Sequence, residues 1–249
     1  MATLTLTPKG AVKPAATAPV EVVDESTAIV EAPNNSVAIA APVRVSASGI
    51  EGEVTTADIN TPRVNLVQKS GQLADTFSPG TFLLVKEVVL AKSGQSFKFT
   101  PLRLKKYYQL KVEFGASQDI PPKFNTMQEV LDFGGSLNCG DDKYCVEMAD
   151  ILMAVHAPED ADDQLFPYRD ENNNAYALAL YTVGSSSYTS LAKRIITDSV
   201  GLLRNGLYTG YYEVHSEIRK NATNSWYVPV AKFVEKHKDP EFFKNIAGL

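Results

Sequence analysis

The chain has 249 residues, 44% of them hydrophobic and 21% charged, so it is long and apolar enough to bury a sizeable core. Its formal net charge of -5 excludes a protein that coats nucleic acid with a uniformly basic surface, although a local basic groove is compatible with that total. The start of the chain lacks the basic and apolar regions of a secretory signal, and its longest apolar runs have the length of strands. We therefore expect a cytoplasmic protein without membrane contact.

The first 50 residues differ in composition from the rest of the chain. They are rich in Ala, Val, Thr and Pro, and the first aromatic residue of the sequence is Phe77. A segment without large side chains cannot bury enough area to offset its ordering entropy. The sequence thus predicts a disordered tail over 1–50 and a folded domain over 51–249. An extended arm that orders on a partner is the alternative for the tail.

Patterns typical of β-strands follow. Runs over 81–91, 95–100 and 103–114 are strand-like, and Ser93-Gly94 is typical of a hairpin turn between the first two. We predict a loop-rich insertion over about 115–174. A helix over 126–133 is predicted next, followed by a strand over 145–156, for which a helix is the alternative, and a strand over 176–183. The last predicted elements are a helix from an N-cap at Ser186 or Ser187 to a stop at Asn205-Gly206, a hairpin of 207–218 with 226–234, and a helix over 239–247.

The third run carries the first candidate binding surface. Its alternation predicts that Lys106, Tyr108 and Phe114 lie on the face toward the core. The opposite face then presents three cations and one ring: Arg103, Lys105, Tyr107 and Lys111. In a single-strand-binding groove, cations follow the phosphates and exposed rings stack on bases. A solvated strand face, with lysine stems covering apolar surface, is the alternative.

The closing hairpin carries the second candidate surface. Arg219 and Lys220 begin its polar loop, and the single tryptophan, Trp226, follows that loop. From the sequence, Trp226 can serve either as a core residue or as a platform for a base. Pro229 cannot donate to a strand ladder, so it predicts an edge position or a bulge for the last strand.

Short strands with a helix before a closing hairpin predict a mainly β domain. The pattern suits a partly open barrel of the OB-fold type, with insertions and one or two helices. Other α+β topologies and β-sandwiches remain open from these patterns alone.

Metal and catalytic signals are weak. Cys139, Cys145 and His156 are candidate zinc ligands, but the five-residue gap between the cysteines is wide and a fourth ligand is missing. We therefore expect free thiols and no cofactor. The sequence contains no P-loop, GxSxG, HExxH or dinucleotide-binding glycine motif, so we do not expect an enzyme. A metal-dependent enzyme that uses the acidic loop over 159–163 is the weakest alternative.

Two stretches resemble a known family. One is PRVNLVQ over 62–68 followed by PGTF over 79–82, and the other extends from YALALY over 176–181 to NSWYVP over 224–229. Together they resemble single-stranded DNA-binding proteins of tailed bacteriophages, of OB-fold type. The resemblance implies a protein that coats single-stranded DNA during phage replication and recombination, with phage replication proteins as further partners.

Sequence and resemblance together favour a non-enzymatic single-stranded DNA-binding protein. The predicted contacts are the two groups described above: Arg103, Lys105, Tyr107 and Lys111 on the strand face, and Arg219, Lys220 and Trp226 at the hairpin. A structural capsid or tail protein of a virion is the alternative, with the N-terminal tail as an assembly arm.

Overall fold

The computed structural model describes residues 61–112, 120–159 and 161–248. The tail predicted over 1–50 lies outside the described residues, as do Phe114 and Asp160. The described part is mainly β, as predicted, with two sheets and several short helices. None of its helices is long and apolar enough to cross a membrane.

The smaller sheet has three antiparallel strands. They are, in spatial order, β1 (Val64–Leu66), β2 (Phe82–Leu84) and β3 (Val88–Ala91). The prediction of one continuous strand over 81–91 is therefore wrong, because a turn divides this run into β2 and β3. Val85 and Lys86 take positive φ angles of 50° and 68°, and the Glu87 N–H donates to the Leu84 carbonyl at 3.1 Å. These angles are those of a type I′ hairpin turn, which a sequence without Gly or Asn at this point does not signal.

The larger sheet has seven strands. They are β4 (Ser96–Leu110), β5 (Lys123–Phe124), β6 (Cys145–His156), β7 (Tyr168–Arg169), β8 (Ala175–Gly184), β9 (Gly210–Lys220) and β10 (Ser225–Lys236). The spatial order is β10-β9-β4-β6-β8-β7, with β5 paired to β4. Among residues 61–112, 120–159 and 161–248 this order does not return on itself, so the sheet is open and forms no closed barrel.

Strand β4 joins two predicted runs, 95–100 and 103–114, through a register shift between Pro101 and Arg103. The predicted strand over 145–156 is confirmed as β6, which is hydrogen-bonded to β4 on one side and β8 on the other. The region predicted as an insertion therefore supplies a central strand of the sheet. The edge position predicted from Pro229 is also confirmed, since β10 is the outermost strand.

Short helices connect or follow the strands of the larger sheet. They are α1 (Met127–Asp132), α2 (Ser185–Ser187) continuing through a π-helical turn (Tyr188–Ala192) into α3 (Lys193–Gly201), and α4 (Glu241–Ile246). The main core combines the small sheet, one face of the large sheet and the π-helical turn, with Phe82, Phe99 and Ile151 at most 1% exposed. A smaller cluster on the opposite face packs α4 against the sheet through Phe243 and Tyr176.

The main helix departs from its prediction at both ends. Its N-cap is Gly184, with no capping side chain, and the following Ser185 has a φ of 51°. The predicted N-cap Ser186 instead accepts a hydrogen bond from Trp226. Helix α3 ends at Gly201, before the predicted stop.

Candidate nucleic-acid interface

The seven predicted contact residues form two groups at opposite ends of the larger sheet. Strands β4 and β9 are antiparallel, with Ser96 opposite His215. Lys105 lies nine residues past Ser96, and Arg219 lies four residues past His215 in the opposite direction. With a rise of about 3.3 Å per residue, this separates Lys105 from Arg219 by about 40 Å along the strands. The two groups are therefore separate surfaces, which we call the β4 surface and the hairpin tip.

The β4 surface differs from its prediction at Tyr107. This side chain is only 3% exposed, so the prediction of an exposed stacking ring is wrong. The Lys123 ammonium on β5 lies 4.9 Å from the centre of the ring, and the phenol donates to Asp150 Oδ1 at 3.4 Å. Burial, together with the Asp150 charge, raises the pKa of Tyr107 to about 12. Tyr107 is thus a structural residue, because side chains of neighbouring strands cover the face that alternation assigns to solvent.

The cations of the β4 surface have different surroundings. Arg103 donates to the carbonyls of Ala247 and Gly248 at 2.8 and 3.0 Å, which ties the end of the C-terminal segment to the sheet. Lys105 is exposed and lies opposite Asp150 of β6 in the strand register. Lys111 is exposed, with its ammonium 5.6 Å from the Tyr144 ring. Arg103 is therefore occupied by an internal contact, whereas Lys105 and Lys111 face solvent.

The predicted orientation of Lys106 is confirmed. Its ammonium lies 2.7 Å from Glu147 Oε1 and 5.6 Å from the centre of the Tyr188 ring, which belongs to the main core. Burial alone lowers the pKa of Lys106, but hydrogen bonds to Glu147 and Tyr108 outweigh burial and raise the pKa above its ordinary value. Tyr108 is only partly buried. Alternation predicted a core position for Tyr108, so the core ends near this residue.

The hairpin tip carries an aromatic ring and cations, which strand alternation divides between its two faces: Trp226 and Arg219 on one, Lys220 and Ser225 on the other. Trp226 lies directly across from Arg219 in the β9–β10 register, and Lys220 pairs with Ser225. The Lys69 ammonium donates to the Ser225 hydroxyl at 2.6 Å, which adds a further cation to the same end of the hairpin. Lys69 and Ser225 are 156 residues apart in the chain, so no sequence pattern linked Lys69 to this surface.

Side chains from other parts of the fold bind this hairpin just behind its turn. The Trp226 indole N–H donates to Ser186 Oγ at 2.9 Å, and the ring is partly exposed. The side chain of Gln68 makes two hydrogen bonds with the Tyr227 backbone, at 2.9 and 3.0 Å. Beyond these contacts, residues 217–224 are exposed, and Ile218 is 46% exposed. The turn is therefore exposed to solvent, while Trp226 and Tyr227 next to it are held by the rest of the fold.

The turn at the tip has a defined geometry. Asn221 Oδ1 accepts the backbone N–H groups of Thr223 and Asn224 at 3.1 and 2.6 Å. An Asx-type turn of this kind fixes the path of the loop between the strands. Arg219 is 3.8 Å from Glu217 Oε2, a long contact between two exposed groups that leaves the guanidinium accessible.

The cysteines lie apart from these surfaces. Cys139 is exposed, while Cys145 is buried at the start of β6, and burial raises the pKa of its thiol. Within the described residues, no group of three or more His, Cys, Asp or Glu side chains is arranged to hold a metal ion. In the acidic loop, Asp163 forms an ion pair with Arg169 at 2.6 Å.

Comparisons with protein-family models, with curated proteins and with solved structures give no match to this chain.

Proposed function

We propose that the protein binds single-stranded DNA through the hairpin tip, and that it acts in the cytoplasm as a coating protein in phage replication and recombination. The observation that carries this proposal is the position of Trp226 opposite Arg219, with Lys220 and Lys69 at the same end of the hairpin. A cation beside a partly exposed ring, as Arg219 is beside Trp226, is part of the combination that sequence-neutral single-strand binding requires.

The anchoring of Trp226 supports the same proposal. Its hydrogen bond to Ser186 holds the indole in one position before any ligand arrives. A fixed ring loses little conformational entropy when a base stacks on it, so more of the stacking energy contributes to affinity. Stacking contributes ~1–3 kcal/mol per base.

The experiment is a salt titration of binding to fluorescently labelled oligo-dT, followed by anisotropy. We expect Lys220→Ala and Arg219→Ala each to reduce the slope of log affinity against log salt by ~0.7, because each removes one phosphate contact. Lys193→Ala, which removes an exposed lysine on α3, is the matched control and should leave the slope unchanged.

The ring is tested separately. Trp226→Ala should weaken oligo-dT binding by ~1–3 kcal/mol with little change in the salt slope, since stacking releases few ions. Trp226→Phe keeps a ring and should retain most of the affinity. Because Trp226 also contacts Ser186, thermal melts of both variants check that the fold persists. If Lys220→Ala and Trp226→Ala bind like the unmodified protein, the hairpin tip is not the interface.

A second candidate, a structural capsid or tail protein of a virion, is supported by exposed apolar side chains. Ile120 is 85% exposed, Leu131 53% and Val200 75%. A subunit contact would need such residues to lie together in one patch, because single exposed apolar side chains are common on protein surfaces. Sedimentation separates the two functions, because a virion component should form large particles and show no salt-dependent binding to oligo-dT.

A further inference from the structure

A cleft of about 700 Å³ lies on the face of the larger sheet that carries α4. Its walls come from Lys98 on β4, His156 at the end of β6, Tyr211 on β9, and residues within the segments 169–176 and 235–245. This volume is in the range of pockets that hold small ligands, about 300–1,000 Å³. The cleft shares no residue with the hairpin tip, whose candidate contacts are Lys69, Arg219, Lys220 and Trp226.

One wall of the cleft is a chain of aromatic rings. Tyr211 and His237 have ring centres 5.4 Å apart, and His237 stacks on Phe243 at 4.1 Å with an interplanar angle of 26°. Phe242 continues the chain at 5.0 Å from Phe243, and Tyr176 lies 5.4 Å from Phe242. Tyr211 and Phe242 are partly exposed, so they present ring surface to the cleft. Burial lowers the pKa of His237 to about 4, which keeps that ring neutral at physiological pH.

Most charged groups of the turn after β7 are already paired. Asp170 accepts from the backbone N–H groups of Asn172 and Asn174, from the Asn174 side chain and from the Tyr176 hydroxyl. Arg169 pairs with Asp163. These groups therefore shape the wall and have little capacity left for a ligand.

The segment that carries α4 follows the same pattern. Glu241 pairs with Lys244, and Asp239 Oδ1 accepts the backbone N–H of Glu241 at 3.1 Å. In the part of the chain that the structure describes, the lining charges without an ion pair or hydrogen bond are three lysines and two glutamates: Lys98, Lys236, Lys238, Glu171 and Glu235. Hydrogen bonds from uncharged donors leave the charges of Asp170 and Asp239 in place, so the lining carries no net positive charge, and an anion can be held only where Lys98, Lys236 and Lys238 themselves lie.

We propose that this cleft binds a nucleoside monophosphate unit, either as a free nucleotide or as one unit of a single strand. The base stacks on Tyr211, and the phosphate lies between Lys98, whose ammonium is 5.9 Å from the Tyr211 ring centre, and Lys236. His156 contributes a polar group, because its Nδ1–H donates to the Ala157 carbonyl at 2.9 Å and leaves the other ring nitrogen, Nε2, for a ligand. An aromatic wall beside unpaired lysines matches the two chemical parts of such a ligand.

The experiment is a calorimetric titration of the full chain with dTMP and, separately, with oligo-dT. The test variant is Lys98→Gln combined with Lys236→Gln, and the matched control is Lys232→Gln, an exposed lysine on β10 outside the cleft. We expect at least tenfold weaker binding in the double variant and unchanged binding in the control. For the ring, Tyr211→Phe should retain binding, whereas Tyr211→Ser should weaken it about tenfold; thermal melts confirm that each variant is folded.

The two ligands distinguish the two sources of the nucleotide unit. Binding of dTMP that depends on Lys98 and Lys236 identifies a site for free nucleotides, and oligo-dT binding with the same dependence identifies a site on the path of a strand. Either result supports the cleft proposal. It is overturned if neither ligand, at up to millimolar concentration, shows binding that depends on Lys98 and Lys236. If dTMP binding depends on Lys98 and Lys236 but oligo-dT shows no salt-dependent binding, the hairpin proposal is wrong and the cleft proposal stands.

Discussion

Single residues show why exposure could not be predicted from alternation alone. Tyr107 and Lys106 point to opposite faces, as the strand pattern predicts, yet Tyr107 is buried. The reason is that β5 and β6 both flank β4 at this point, and Lys123 covers the ring. Alternation identifies the side on which a side chain lies, but whether that side is covered depends on residues elsewhere in the chain.

His237 gives a prediction on pH at the same scale. Burial lowers its pKa from the ordinary 6.5 to about 4, although Glu235 and Asp170 act in the opposite direction. As the pH falls from 6.5 towards 4, the unfolded chain takes up a proton that the folded chain does not, so the free energy of unfolding decreases. We expect His237 to account for a loss of about 1–2 kcal/mol, after allowance for its partial exposure.

Thermal melts at both ends of this pH range test the prediction, with His237→Gln as the comparison. The variant lacks the titrating group and should lose less stability on acidification than the unmodified protein. Equal losses in the two proteins would contradict the role assigned to His237.

At the scale of elements, the sequence predicts most strands and helices but not the turn between β2 and β3 or the contacts that close the hairpin. The strands β6 and β8, the edge strand β10 and the helices α1 and α4 lie close to where periodicity and turn residues place them. The hairpin anchors depend on pairs such as Gln68 with Tyr227, which are 159 residues apart. Contacts over such separations follow from the fold, and no local pattern encodes them.

The turn between β2 and β3 gives a prediction of its own. Lys86 is exposed and has a φ of 68°, a conformation that costs a non-glycine residue about 1 kcal/mol or more. Lys86→Gly should raise the free energy of unfolding by about 0.5 kcal/mol, since the relief of strain exceeds the entropy lost by glycine on folding. Lys86→Ala keeps the Cβ atom and should give no gain. Chemical denaturation measures both variants, and equal stabilities would show that the turn is unstrained.

At the scale of the whole molecule, the candidate site was only partly predictable. The sequence identified Arg219, Lys220 and Trp226, because cations and a ring lie close together around one loop. It could not place Lys69 beside them, and it could not find the aromatic cleft, whose walls come from five separate segments. Both depend on how distant parts of the chain pack together.

The tail predicted over 1–50 can be tested on the whole chain. Its lack of aromatic residues indicates that it contributes little to the core, so its deletion should leave the melting temperature nearly unchanged. Oligo-dT binding in the same deletion variant shows whether the tail takes part in function. A large drop in melting temperature would show that the segment packs on the folded domain.

The outermost strand also has a consequence for how the protein behaves at high concentration. An unpaired strand edge is a template on which another chain can add and start aggregation. In β10 the inner part of this edge is already occupied, because Gln68 pairs with the Tyr227 backbone and Ser190 donates to the Pro229 carbonyl at 2.6 Å. The outer part carries the exposed charged residues Lys232, Glu235 and Lys236. These features protect the edge, so crowded molecules can lie side by side without their sheets merging.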